Sequence, residues 1–289
     1  MTALVFTAFA IVFAAKQLCI RYGVTVTTGS WLYYLLSAGP LYLVAMPVSA
    51  AVLRGIPAAP PLEKSSLHPK QLGSAALICF ALMYAGNLAG VAVTSFIGAL
   101  SGNGMDNLLA EVMNQSDVWA MTTVTVIAAP LFEELFFRKL LIDRLRGYGQ
   151  RAAVVVSALA FSLIHGNLSQ VFYAFGLGLA FGYLYLKTNR VGYTIALHLM
   201  INAVGGVASL FAQKAGTAAT LVYAALMLSA VVAGTMLFFR YRRTVAFTDE
   251  LWPDHPPQWK MPALVNTGMI SFFVICAALM AWNTIAALK

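Results

Sequence analysis

The chain has 289 residues, of which 61% are hydrophobic and only 10% charged, against about 25% charged in a typical soluble domain. The apolar residues come in long blocks, and the basic residues behind the net charge of +8 sit at the ends of those blocks. This placement reads as orientation in a membrane, not as a nucleic-acid-binding surface. The three cysteines, Cys19, Cys79 and Cys276, lie in separate apolar segments with neither disulfide nor zinc spacing, and read as small buried hydrophobes.

A spanning helix needs about 20 mostly apolar residues. In chain order the expected spans are 3–22, 31–53, 72–98, 119–142, 152–166, 169–187, 191–212, 219–239 and 262–288. The first begins at Ala3 with no basic region before it and no small-x-small cleavage site, so it reads as a span and not a removed signal peptide. The block 152–166 is short for a span and is expected to end inside the protein. The expected fold is all-α: one polytopic transmembrane bundle over 1–289, of eight or nine spans, with no internal repeat and no low-complexity tract.

Charge orients this bundle. Loop 138–151 carries a net charge of +4, from Arg138, Lys139, Arg144, Arg146 and Arg151 against Asp143. Arg54, Lys64 and Lys70 mark the 54–70 loop, Lys187 and Arg190 a short later one, and Arg240, Arg242 and Arg243 the end of the 219–239 span. Loop 99–118 instead holds Asp106, Glu111 and Asp117 and no basic residue. The positive-inside rule puts the basic loops in the cytoplasm and 99–118 outside. Nine spans then give an inner N-terminus and an outer C-terminus, with Lys16 and Arg21 on the side the rule disfavours. The polar stretch 240–260 reads as a cytoplasmic loop, with Trp252 and Trp259 as interfacial anchors.

Polar clusters interrupt the apolar blocks. Glu133 and Glu134 stand side by side in the 119–142 span, where one carboxylate costs roughly 2.5–3.5 kcal/mol at a helix centre. They must therefore face protein or a water-filled cavity. Glu134 and Arg138 are four apart and share a face, so they can pair, while Glu133 points about 100° away and is free of that pair. Pro130, three residues earlier, removes a backbone hydrogen bond and is expected to bend the helix. His165 follows Phe161 by four, and Asn167, Ser169 and Gln170 then form a polar turn. His198 and Asn202, also four apart, project from one face. Singly, each histidine is as well explained by helix–helix hydrogen bonding, Asn202 reads as glue between helices, and Glu134–Arg138 reads as a buried structural ion pair. Together, glutamate, histidine and an amide donor are the parts needed to activate water and stabilise an oxyanion.

The order Glu-Glu-x-x-x-Arg, Phe-x-x-x-His and His-x-x-x-Asn on successive membrane segments resembles the CPBP family. That family includes the CAAX prenyl endopeptidases of the Rce1 type and bacterial proteins grouped as bacteriocin-processing or abortive-infection proteins. The resemblance covers about 119–212, the expected catalytic core, and all three motifs are complete. It implies an intramembrane glutamic endopeptidase without cofactor or metal. Glu133 would be the general base on a water that His165 helps to hold. His198 and Asn202 would stabilise the oxyanion, and Glu134 with Arg138 would orient the group. Two other classes stand beside it. One is a zinc metalloprotease, against which there is no His-Glu-x-x-His and the two glutamates are adjacent. The other is a non-catalytic scaffold, immunity or transporter-associated protein on the same fold. The expected partners are a peptide or membrane-protein substrate and the lipid bilayer, with no nucleic acid. The expected location is a prokaryotic plasma membrane, with the site opening toward the cytoplasm.

Overall fold

In a bilayer a long uncharged stretch has no hydrogen-bonding partner for its backbone except itself, so it winds into a helix. The computed structural model describes residues 2–102, 108–247 and 266–288, and the long apolar blocks of the sequence are helical in it. The order is α1 (Thr2–Arg21), α2 (Trp31–Leu53), α3 (Pro69–Leu100), a short α4 (Leu108–Gln115), α5 (Val118–Tyr148), α6 (Gln150–Leu163), α7 (Leu168–Thr188), α8 (Val191–Lys214), α9 (Thr217–Tyr241) and α10 (Thr267–Ala286). Seven of these, α2, α3, α5, α7, α8, α9 and α10, lie in segments long and apolar enough to cross a membrane. The chain is an integral membrane protein built as a polytopic helical bundle. Trp252, Trp259 and Asp106 lie outside the described residues.

Helix ends fall where the chain supplies caps. Asp117 accepts from the Ala120 amide at 2.8 Å to start α5, and Asn167 accepts from Ser169 at 3.0 Å to start α7. His68 caps α3 in a reciprocal box with Gln71. The short helix α6 has 14 residues, about 21 Å at 1.5 Å per residue, against a hydrocarbon core of about 30 Å. It stops at Leu163, and the chain turns back through Gly166 at φ +58° into α7. The Gly166 carbonyl accepts from Asn283 of α10 at 2.8 Å, so this turn is tied to the bundle.

The basic loops gather at one end. The segment between α2 and α3 crosses that end as a strap. The Ala59 amide donates to the Asp143 carbonyl at 2.8 Å, and Arg146 donates to the Pro60 carbonyl at 2.8 Å. Ser65 donates to the Thr188 and Lys187 carbonyls at 3.0 and 2.7 Å. Arg151 and Phe247 also meet there. At the opposite end the Asp117 amide donates to the Gly29 carbonyl at 3.1 Å, and Tyr34 and Ser116 share a hydrogen bond of 2.8 Å. The alternation read from charge therefore matches which loops meet.

Helices in lipid gain little from burying apolar surface against each other, so close packing of small residues holds them. Gly86 and Gly90 of α3 let its backbone run against Tyr173 and Ser169 of α7. On the other side of α7, a Cβ built at Gly178 would stand 2.9 Å from Ala158 of α6. Helix α7 is thus clamped between α3 and α6. Gly178→Leu is expected to cost about 1–3 kcal/mol through overpacking, read as a lower melting temperature in detergent. Gly73→Leu, with open space around it, is expected to leave the melting temperature unchanged.

Candidate active site

The site is built on α5, which is wound irregularly on both sides of its acids. Residues Thr122–Ala128 and Leu135–Ile142 are wider π-helical stretches flanking the α-helical turn Ala129–Glu134. Such stretches recur at functional sites because they rotate side chains out of ordinary register. In the first one the Ala129 amide reaches back five residues, to the Val124 carbonyl. The next donor in that register would be Pro130, which has no N–H, so the Thr125 carbonyl loses its backbone partner. Asn202 of α8 fills the gap, its Nδ2 donating to that carbonyl at 2.7 Å.

Arg138 and Glu134 are both fully buried. Arg138 Nε donates to Glu134 Oε2 at 3.0 Å, and a second guanidinium nitrogen donates to Oε1 at 3.3 Å. The third guanidinium nitrogen donates to Ser157 Oγ on α6 at 3.1 Å, and Ser157 passes its own proton to the Phe137 carbonyl at 2.8 Å. The guanidinium lies 4.6 Å from the centre of the Phe161 ring and 5.7 Å from that of Phe181, a cation–π setting that satisfies its faces as the hydrogen bonds satisfy its edge.

Glu134 also anchors a histidine. His198 Nδ1 lies 3.0 Å from Glu134 Oε1, and the carboxylate bound to Arg138 can only accept, which assigns the Nδ1 proton to the imidazole. Thr194, one turn earlier on α8, is fully buried and also faces Glu134. The His198 ring is fixed between Phe161 and Phe181, with centroid distances of 5.7 and 5.4 Å. Its Nε2 is 3.8 Å from Glu133 Oε2, beyond direct hydrogen bonding but within the span of one shared water. Glu133 Oε1 accepts from the Tyr42 hydroxyl of α2 at 2.7 Å. His165 packs edge-on against Phe161 at 5.1 Å, and its Nδ1 lies 2.8 Å from the Phe161 carbonyl. A carbonyl cannot donate, so Nδ1 carries the proton and Nε2 has a lone pair to offer.

The six residues singled out in the sequence are therefore distributed unevenly. Glu133, Glu134, Arg138 and His198 are joined by contacts from carboxylate to imidazole to guanidinium. His165 adjoins them across the Phe161 ring. Asn202 commits one amide N–H to Thr125 and keeps the other. Three contributors escaped sequence reading. Ser157 and Thr194 carried a usable signal, since each is a polar residue one helical turn before a motif residue, Phe161 and His198 respectively. Tyr42 carried none beyond its place between Pro40 and Pro47 in an otherwise apolar span.

Residues 115–204 match the family model of the Rce1-like type II CAAX prenyl endopeptidases, which bears out the resemblance drawn from the three motifs. The chain is also 32% identical over 85 residues to a Bacillus subtilis (strain 168) protein named "Putative membrane peptidase YdiL". That stretch is 28% of this chain and 34% of the relative, so the chain spans about a third of the curated relative that it matches. No solved structure matches it.

Breaking a buried ion pair strands the remaining charge, at about 3–5 kcal/mol. Arg138→Ala is accordingly expected to lower the melting temperature in detergent sharply. Ser157→Ala removes one of several donor–acceptor contacts and is expected to cost about 1–3 kcal/mol. Equal losses for the two variants would show that the guanidinium is not the centre of this network.

Proposed function

We propose that the chain is an intramembrane glutamic endopeptidase, hydrolysing a peptide bond of a membrane-associated substrate. The observation that carries this reading is the different treatment of two adjacent carboxylates. Glu134 is saturated by Arg138 and His198, whereas Glu133 Oε2 has no hydrogen bond among the described residues and stands 3.8 Å from His198 Nε2. A base needs an oxygen that is not already spent.

Water attacks the scissile carbonyl carbon while Glu133 Oε2 takes its proton. His165 Nε2, with its lone pair, accepts a second hydrogen bond from that water and holds it in place. In this mechanism His198 acts as the imidazolium, its Nδ1–H held by Glu134 Oε1. His198 Nε2 then donates to the developing oxyanion, joined by the second amide N–H of Asn202. Preorganised donors of this kind typically contribute about 10²–10³ in rate each. Collapse of the tetrahedral species breaks the C–N bond as Glu133 returns its proton to the leaving nitrogen. The core of the activity would lie in 119–212, within one membrane domain.

By the positive-inside rule the end holding the basic loops faces the cytoplasm. His198 stands seven residues into α8 from that end, about 10 Å of rise, which favours a site opening to the cytoplasmic side. A prokaryotic plasma membrane suits the compact loops. The substrate is then a precursor peptide or membrane protein, with prenylated proteins the class that the matched family model names.

Membranes carrying the wild type and Glu133→Gln, compared by quantitative proteomics, are expected to differ by one accumulating precursor. The variant should cut that precursor at least about a hundredfold more slowly, the usual contribution of a general base. Its melting temperature should hold, since a neutral amide is cheaper to bury than a carboxylate. Full complementation by Glu133→Gln would make the carboxylate structural and favour a non-catalytic scaffold. Cleavage is expected to survive chelators; loss on chelation with recovery in zinc would move the activated water onto a metal.

A further inference from the structure

The site draws on a helix that lies outside the segment matched to the family. From the geometry we infer that Tyr42 of α2 is a positioning residue for the base, holding Glu133 Oε1 so that Oε2 alone faces His198 and the water. This inference rests on the glutamic reading above, and it concerns a residue that none of the three motifs contains.

The physical need is specific. The terminal torsion of a glutamate is broad and nearly two-fold, so an untethered carboxylate presents either oxygen and swings between them. A charge-assisted O–H···O bond of 2.7 Å removes that freedom. The tether must itself be rigid, and Tyr42 is. Its ring stacks on Phe132, the residue before Glu133, at 5.6 Å and 20°. It stands in the π-helical stretch Pro40–Ala45, three residues before the buried Ala45, and packs against the apolar cluster of Phe136, Phe137 and Phe161. Helix α2 is also pinned at both ends. Near the acidic end Tyr34 shares a 2.8 Å hydrogen bond with Ser116, and at the basic end the Leu53 carbonyl accepts from Arg144 at 2.6 Å. A hydroxyl mounted this way holds its height and direction relative to α5.

The contact partitions the carboxylate. Oε1 is a hydrogen-bond acceptor throughout the cycle, and Oε2 is the oxygen that takes and returns the proton. The Tyr173 hydroxyl, which accepts from Gln170 Nε2 at 2.8 Å, makes no hydrogen bond to Glu133 among the described residues, so Tyr42 is the direct tether.

The test uses the full-length protein in detergent. The carboxylate band of Glu133 is defined by the infrared difference between wild type and Glu133→Gln. Tyr42→Phe keeps the ring and its stack but removes the donor. It is expected to shift that band, to lower kcat for the accumulating precursor by about tenfold with KM unchanged, and to hold the melting temperature. Tyr33→Phe deletes a hydroxyl on the same helix that makes no hydrogen bond among the described residues and is expected to move neither band nor kcat. An unshifted band, or wild-type kcat in Tyr42→Phe, would overturn the proposal while leaving the glutamic reading in place. A variant that loses activity only in step with its melting temperature would make the hydroxyl structural and overturn it too. If Glu133→Gln itself remained active, the glutamic reading would fall first, and the band shift would then report a contact without a catalytic purpose.

Discussion

A guanidinium in the middle of an apolar bundle cannot be left to find its own partner. The desolvation cost of an isolated charge there is several kcal/mol at least, so Arg138 must be surrounded completely or the helices must rearrange. It is surrounded from three directions. Glu134 comes from its own helix, Ser157 from α6, and the Phe161 and Phe181 rings from α6 and α7. Because Glu134 also holds His198 of α8, satisfying one arginine fixes four helices at once. The precision of the site is a by-product of that requirement. The imidazole is aimed because the carboxylate behind it is immobile, and the carboxylate is immobile because the arginine needs it.

Irregular winding gives the same helices their chemistry. In straight α-helical winding Pro130 would orphan the Val126 carbonyl, four residues back, and not the Thr125 carbonyl that α8 holds. The π-helical stretch ending at Ala128, followed by Pro130, exposes the Thr125 carbonyl, and Asn202 closes it. The bond places an amide on the His198 face of α8 and sets the register between α5 and α8. Thr194, His198 and Asn202 follow at intervals of four residues, so one stripe of α8 meets Glu134, then Glu133, then Thr125. A defect in one helix becomes the positioning device for the next.

Packing explains why the imidazoles and the arginine share so small a space. Gly178 brings α6 and α7 close enough for Phe161 and Phe181 to flank both Arg138 and His198. The short α6 ends within the bundle and turns at Gly166, so that His165 lies beside Phe161 and is not carried to the far interface. Length, glycine placement and aromatic rings act together here, and none of them is an ionisable group of the site.

Much of this was legible in the residues because the bilayer is an unforgiving solvent. Long apolar blocks had no alternative to helix, and basic loops had a preferred side. The i,i+4 spacing of Glu134 and Arg138, and of His198 and Asn202, survived because it depends on one helix at a time. The cost of burying two glutamates pointed to a shared interior site, and the three motifs carried the family resemblance. What the residues left open were contacts between helices far apart in the chain. Nothing in the 31–53 block marked Tyr42 as the partner of Glu133, since a tyrosine in a span is equally at home at an interface or in a core. The donor committed by Asn202 depended on a π-helical register that hydrophobic periodicity does not record. The choice of which glutamate keeps a free oxygen was half visible, as the one that helical geometry frees from Arg138. The other half required knowing what stood opposite it, and only the packing of α2 and α8 against α5 decides that.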